Sequence, residues 1–298
     1  MLPPKSFLPE FADRIALLED GPSVSPFCIG IVEDEDVVPA AFDAGINFFF
    51  ITADMHWPLY EKTRRGLIKL FARGGGVRDD VVVAVVCYVT QPEFCIAPFS
   101  EVLDVVPGLD RVDVAVAGGA YAHEIGSRLS VYHSRHRRER LFGRSALGTT
   151  FHDRKAALLV VNNRLIDIGF IRYNAGHPGA RAEVFPFLDA DKRAPLYNFK
   201  SVGGYVDPMY FSQLGFDEDF WQPKVTDHYR FVLSRPEIDG ILCAPTEVHM
   251  VQELADAMDE GPLDEEEEQF LIDLASTARS KAGSLIPVDP ETGKPVYY

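Results

Sequence analysis

Eight short apolar runs rich in Val, Ile and Phe recur along the chain, and longer segments of helical period lie between them. They read "PFCIGIV" (26–32), "INFFFIT" (46–52), "DVVVAVVCY" (80–88), "RVDVAVAG" (111–118), "SALGTT" (145–150), "IDIGFIRY" (166–173), "PLYNFKSV" (195–202) and "IDGILCAP" (238–245). Runs this short and this continuously apolar are expected of strands covered by helices on a parallel sheet. The helical segments include "VVPAAFDAG" with Gly45 as C-cap, "PLYEKTRRGLIKLFARGG", "HDRKAALLVVNNRL", "KVTDHYRFVLSRP" and "EVHMVQELADAM". A last one, "GPLDEEEEQFLIDLASTAR", carries carboxylates in its first turn, where they complement the helix dipole. No clear helix follows the fourth run. Eight strand–helix units without a low-complexity linker predict an α/β protein, one closed (β/α)8 TIM barrel over residues 1–298. The Pro-rich end of the chain, 284–298, reads as an irregular tail over the surface or across a barrel end.

Composition adds exclusions. With 298 residues, 47% hydrophobic and 25% charged, the chain is an ordinary globular protein. Its net charge of −16 argues against a nucleic-acid or anionic-membrane surface, which needs clustered Lys and Arg. One basic run, "HSRHRRER" (133–140), goes against that trend; it is either a solvated face or a contact for an acidic protein partner. No apolar stretch is long enough to span a bilayer and the N-terminus lacks the apolar core of a signal peptide, so a cytoplasmic protein is expected. Cys28, Cys87, Cys95 and Cys243 lack the CxxC spacing of zinc or redox sites and read as buried thiols.

Several stretches, taken in order, resemble the aldo-keto reductase superfamily. "RIALLEDGPSVSPFCIGIV" is similar to its N-terminal hairpin and first strand, and "AAFDAGINFFFITAD" to its second. "VRDDVVVAVV" resembles the approach to the third strand, and "IRYNAGHPGA" a branch with R-Y-N-A-A-H at the sixth. "HYRFVLSRPEIDGILCAP" and "GPLDEEEEQFL" resemble the closing elements. The resemblance implies NADPH-dependent carbonyl reduction, with a Tyr donating the proton, a Lys and an Asp tuning that Tyr, and a His orienting the carbonyl. Placed on this chain, those positions hold His56 for Tyr, Val86 for Lys, Ile51 for Asp and Gly118 for His. A phenol with a pKa of about 10 needs nearby charge to become a useful acid at neutral pH, and aliphatic side chains supply none. The loop that binds the adenosine 2′-phosphate in the family reads here "APTEVHMVQEL", without Arg or Lys.

In a barrel the chemistry lies at the C-terminal strand ends, whatever the reaction. Those ends offer Glu33 and Asp34, Asp54 and His56, Cys87 and Tyr88, Gly118 with His123 beyond it, His152, Asn174 and His177, and Lys200. His56 stands where a proton donor is expected, and imidazole performs acid–base work near neutrality unaided. Asp54 would orient it, or cap the helix that follows. Tyr88, His177 and Lys200 complete the candidate set. His177 alternatively hydrogen-bonds its own turn, and Lys200 would contact an anionic substrate group. His56, His152, His177 and Asp54 suit zinc or iron by type, but no diagnostic spacing links them and no metal is predicted.

The expected function is a divergent aldo-keto-reductase-like enzyme acting on a small organic molecule or short peptide by histidine acid/base chemistry, an oxidoreductase by resemblance. Two alternatives stay open: an ordinary NADPH-dependent reductase with a displaced tetrad, and a catalytically silent barrel that serves as a binding subunit.

Overall fold

The computed structural model describes residues 4–54, 56–136, 146–151, 153–216 and 221–281. His152, part of the basic run and the 284–298 tail lie outside the described residues. Each of the eight apolar runs contains a strand: β3 (Phe27–Ile29), β4 (Phe48–Thr52), β5 (Val82–Cys87), β6 (Val114–Ala120), β7 (Ala146–Phe151), β8 (Ile168–Arg172), β9 (Leu196–Phe199) and β10 (Gly240–Cys243). All pair in parallel, in the order β10-β3-β4-β5-β6-β7-β8-β9, and close into a barrel, as the sequence predicts. A two-residue hairpin, β1 (Ile15–Ala16) and β2 (Ser23–Val24), precedes the ring.

Side chains alternate between the faces of a strand, so one known inward residue fixes the rest through the register. Phe48 and Phe50 meet Phe170 and Tyr197 from across the ring, with centroids 5.2–6.5 Å apart, so these four point inward. Pairing then places Val82, Ala84 and Val86, Val114 and Val116, and Gly148 and Thr150 on the same inner face. Gly240 is small because a Cβ there would lie 2.4 Å from the Tyr197 ring, whose hydroxyl reaches past it to the Ser25 carbonyl, 2.7 Å away. The interior is aromatic and aliphatic low in the barrel. It turns polar only in its last layer, at Thr52, Thr150 and Arg172. That gradient puts the polar side chains of the interior at the C-terminal mouth.

Eleven helices are present among the described residues: α1 (Val37–Asp43), α2 (Glu61–Phe71), α3 (Val77–Asp80), α4 (Ala97–Val105), α5 (Ile125–His136), α6 (Arg154–Asn162), α7 (Ala180–Glu183), α8 (Phe211–Leu214), α9 (Val225–Leu233), α10 (His249–Asp259) and α11 (Glu265–Ser280). The acidic start of α11 forms a capping box, in which Asp264 accepts from the amide of Glu267 and Glu267 from that of Asp264. A helix does follow the fourth barrel strand, contrary to the sequence reading. The stripe of α5 that faces the sheet runs Ile125, Arg128, Leu129, Tyr132, and a fully buried arginine in that stripe breaks its apolar period. No described helix is long and apolar enough to cross a membrane. All four cysteines are buried and none is in a disulfide.

Candidate active site at the barrel mouth

β4 ends at Thr52, and the chain turns over the mouth through Asp54 into a single 3-10 turn at Trp57–Tyr60. Asp54 is the hub. Its Oδ1 accepts the Thr52 hydroxyl at 2.9 Å and stands 3.1 Å from Nδ1 of His56, while its Oδ2 accepts the backbone N–H of Tyr88. A carboxylate beside Nδ1 holds that nitrogen as the donor and leaves the lone pair on Nε2. The Asp54 side chain is 6% exposed and that of His56 42% exposed, so the carboxylate is shielded while the imidazole reaches solvent or a ligand. The Tyr88 ring leans on the imidazole, centroids 4.6 Å apart and tilted by 52°.

Buried arginines fix the strand ends that carry this group. Arg64, on α2, donates to the Thr52 carbonyl and places its guanidinium carbon over the Trp57 ring, 3.1 Å from its centroid. Burial lowers its pKa to about 10. Arg128 donates to the carbonyls of Gly118, 2.9 Å, and Cys87, 3.1 Å, and so pins β5 and β6 just below Tyr88. Gly118 leaves the room that Tyr88 occupies, since a Cβ there would stand 2.6 Å from its ring.

Phenols at the mouth are driven away from acidity. Burial, then the Asp54 carboxylate, push Tyr88 up, with a hydrogen bond from Thr150 opposing them. Burial, then Tyr88, Cys28 and Asp54, push Tyr60 well above the phenolic range. No cation contributes to either shift. Val86 is on the inner face, and the residue paired with it across β4 and β5 is Thr52; Ile51 points outward by alternation.

His177 and Lys200 lie apart from the dyad, on the far side of the ring. His177 Nδ1 is 3.3 Å from Oδ1 of Asn174, whose Nδ2 donates to the Lys200 carbonyl at 2.7 Å. Burial first, then the positive field of Arg172, Arg279, Lys200 and Arg154, hold the His177 pKa below its ordinary value. Lys200 has φ of +58°, a left-handed conformation that costs a non-glycine residue on the order of 1 kcal/mol. The sequence reading missed Thr52, Thr150 and Arg172. Period-two alternation in "FFFIT", "ALGTTF" and "IGFIR" is the signal that could have found them, because each closes an inward-facing series.

No group of three His, Cys, Asp or Glu among the described residues could hold a metal ion. A cavity of about 530 Å³ follows β10, where the resemblance puts the cofactor's adenosine, and its acidic and basic lining is Lys224, Glu253, Asp256 and Glu260. Three carboxylates around one ammonium do not fit a 2′-phosphate dianion. A larger cavity, about 790 Å³, opens at the N-terminal face among Arg14, Asp79, Arg111 and Asp113. Arg111 and Arg78 pair there with Asp113 at 3.1 and 2.9 Å, which ties loops together at the end of a barrel concerned with stability.

No protein-family model matches the chain. No curated protein matches it either. Among solved structures it is similar to a candidate aldo-keto reductase from Pseudomonas aeruginosa, 16% identical, with 84% of this chain and 97% of that chain covered and a TM-score of 0.59. At that identity the likeness is one of fold: the chain is a (β/α)8 barrel.

Proposed function

We propose that the chain is an enzyme that transfers protons at carbon or oxygen of a small organic molecule, with His56 as acid and base and Asp54 as the group that orients it. The observation that carries this reading is the Asp54–His56 pair, 3.1 Å apart at the barrel mouth, with Nδ1 engaged and Nε2 left for a substrate. Tyr88 closes one side of the imidazole and sets its tilt; Thr52 and the Tyr88 amide hold the carboxylate still. Oxidoreductase chemistry is what the resemblance in sequence and fold suggests, but the acidic lining after β10 argues against NADPH and no hydride step belongs to this reading. A reductase with a displaced tetrad has less in its favour, because both phenols at the mouth are pushed up rather than down.

The test is proton exchange in D2O, followed by NMR over a panel of small aldehydes, ketones and 2-keto acids. Wild-type protein is expected to accelerate exchange next to the carbonyl of at least one compound. His56→Gln should lower that rate by about 10² to 10⁴ and Asp54→Asn by a smaller factor. Undiminished exchange in His56→Gln would remove the histidine from the mechanism.

A further inference from the structure

Strand order gives the mouth two poles. In the closed ring β4 and β8 are separated by three strands on either side, so the His56 end of β4 faces the Arg172 end of β8. Eight strands at about 4.8 Å spacing and about 36° of tilt close a ring roughly 15 Å across.

The far pole is positive. Arg172 occupies the inner face at the end of β8, half-buried, and Lys200 follows β9 directly. Neither side chain has a hydrogen bond or ion pair with any described residue. Their neighbours are already engaged, since Arg154 pairs with Glu183 and Arg279 donates to the Gly176 carbonyl. In a chain with 45 Asp and Glu against 29 Lys and Arg, these two cations stand at the ends of neighbouring strands without a carboxylate partner among the described residues. An uncompensated guanidinium half-removed from water costs free energy that an anionic ligand would recover.

The rim between the poles is apolar. Ile31, Trp57, Phe94, Tyr121, Tyr205 and Met209 are 37–69% exposed and stand on the connections after β3, β4, β5, β6 and β9. On the connection after β8 the large exposed apolar side chain is Phe187, beyond α7, and none stands between Arg172 and α7. Exposed apolar groups gathered at one end of a barrel indicate a surface that covers something.

We infer that the mouth binds an organic anion with an apolar body, its carboxylate or phosphate held by Arg172 and Lys200 and its reactive end presented to His56. This rests on the proton-transfer reading of the same mouth.

The experiment is calorimetric titration with 4-phenylbutanoate, phenyl phosphate and the uncharged 4-phenylbutanamide. At least one anion is expected to bind saturably, with Kd of about 1 mM or tighter, and the amide about tenfold more weakly. The stronger of the two anions identifies the acid group. Arg172→Met and Lys200→Met should each weaken anion binding about tenfold without changing the amide, and Arg164→Met, far from the mouth, should change neither. Equal binding of amide and anions, or undiminished anion binding in the Arg172→Met/Lys200→Met double variant with a native circular dichroism spectrum, overturns the inference. His56→Gln separates the two proposals, because it should lower exchange by about 10² to 10⁴ yet keep anion binding. Anion binding without exchange in the wild type refutes only the proton-transfer reading, and exchange confined to neutral compounds refutes only the anion site.

Discussion

His228 is buried in α9 at 1% exposure, edge-on to Tyr205 at 5.6 Å, and neither ring nitrogen has a partner among the described residues. Burial pulls its pKa down to about 4, against a small opposing effect of Asp227. The folded value is below the unfolded one of about 6.5, so the unfolded chain takes up the proton first as pH falls. The stability this group contributes is complete above about pH 6.5 and is lost progressively down to about pH 4, on the order of 3 kcal/mol in all. His228→Leu is expected to flatten that part of the pH dependence of the urea midpoint. Equal losses in variant and wild type between pH 7 and 4 would contradict the assignment. At this scale the sequence was readable where a residue had an unusual neighbour on the page: Asp54 and His56 stand two apart at the end of an apolar run, and the structure puts them in contact. Tyr88 joins them through a turn that no local pattern announces. Arg172 was invisible because its meaning depends on which face of β8 points inward, and that is settled by Phe170 meeting Phe50 across the ring.

Among the elements, α5 depends most on a single contact set. Arg128, 0% exposed, links α5 to the ends of β5 and β6 through two carbonyls and to Glu124 at 3.2 Å. Replacing it leaves those carbonyls buried and unpaired, so Arg128→Met should cost about 3 kcal/mol and loosen the segment that carries Tyr88. The urea midpoint at unchanged slope measures the first effect; a variant as stable as wild type would show that the contacts are incidental. The eight strands were legible because each is a compact apolar run between turn residues, and α2, α6, α9, α10 and α11 because their apolar periods are intact. α5 was not legible, since the buried face uses a guanidinium and a phenol where aliphatic side chains are expected.

For the whole molecule, ring closure joins distant parts of the chain. Ile241 pairs with Phe27 and Phe48 with Val82, so no set of neighbouring strands holds a complete core by itself. The barrel is therefore expected to unfold as one unit, with far-UV circular dichroism and tryptophan fluorescence giving the same urea midpoint. Two separated transitions would divide the chain into domains. The closed pairing was legible from the number and order of apolar runs, whereas the two-pole arrangement of the mouth needed the ring itself.

The pairing of β10 with both β9 and β3 has one more consequence. Every barrel strand has a neighbour on each side, so the native ring offers no free margin on which a foreign strand could template itself. Self-association through strand exchange must wait for the seam between β3 and β10 to part. The susceptibility of this protein to clumping is thus governed by how often that seam breathes.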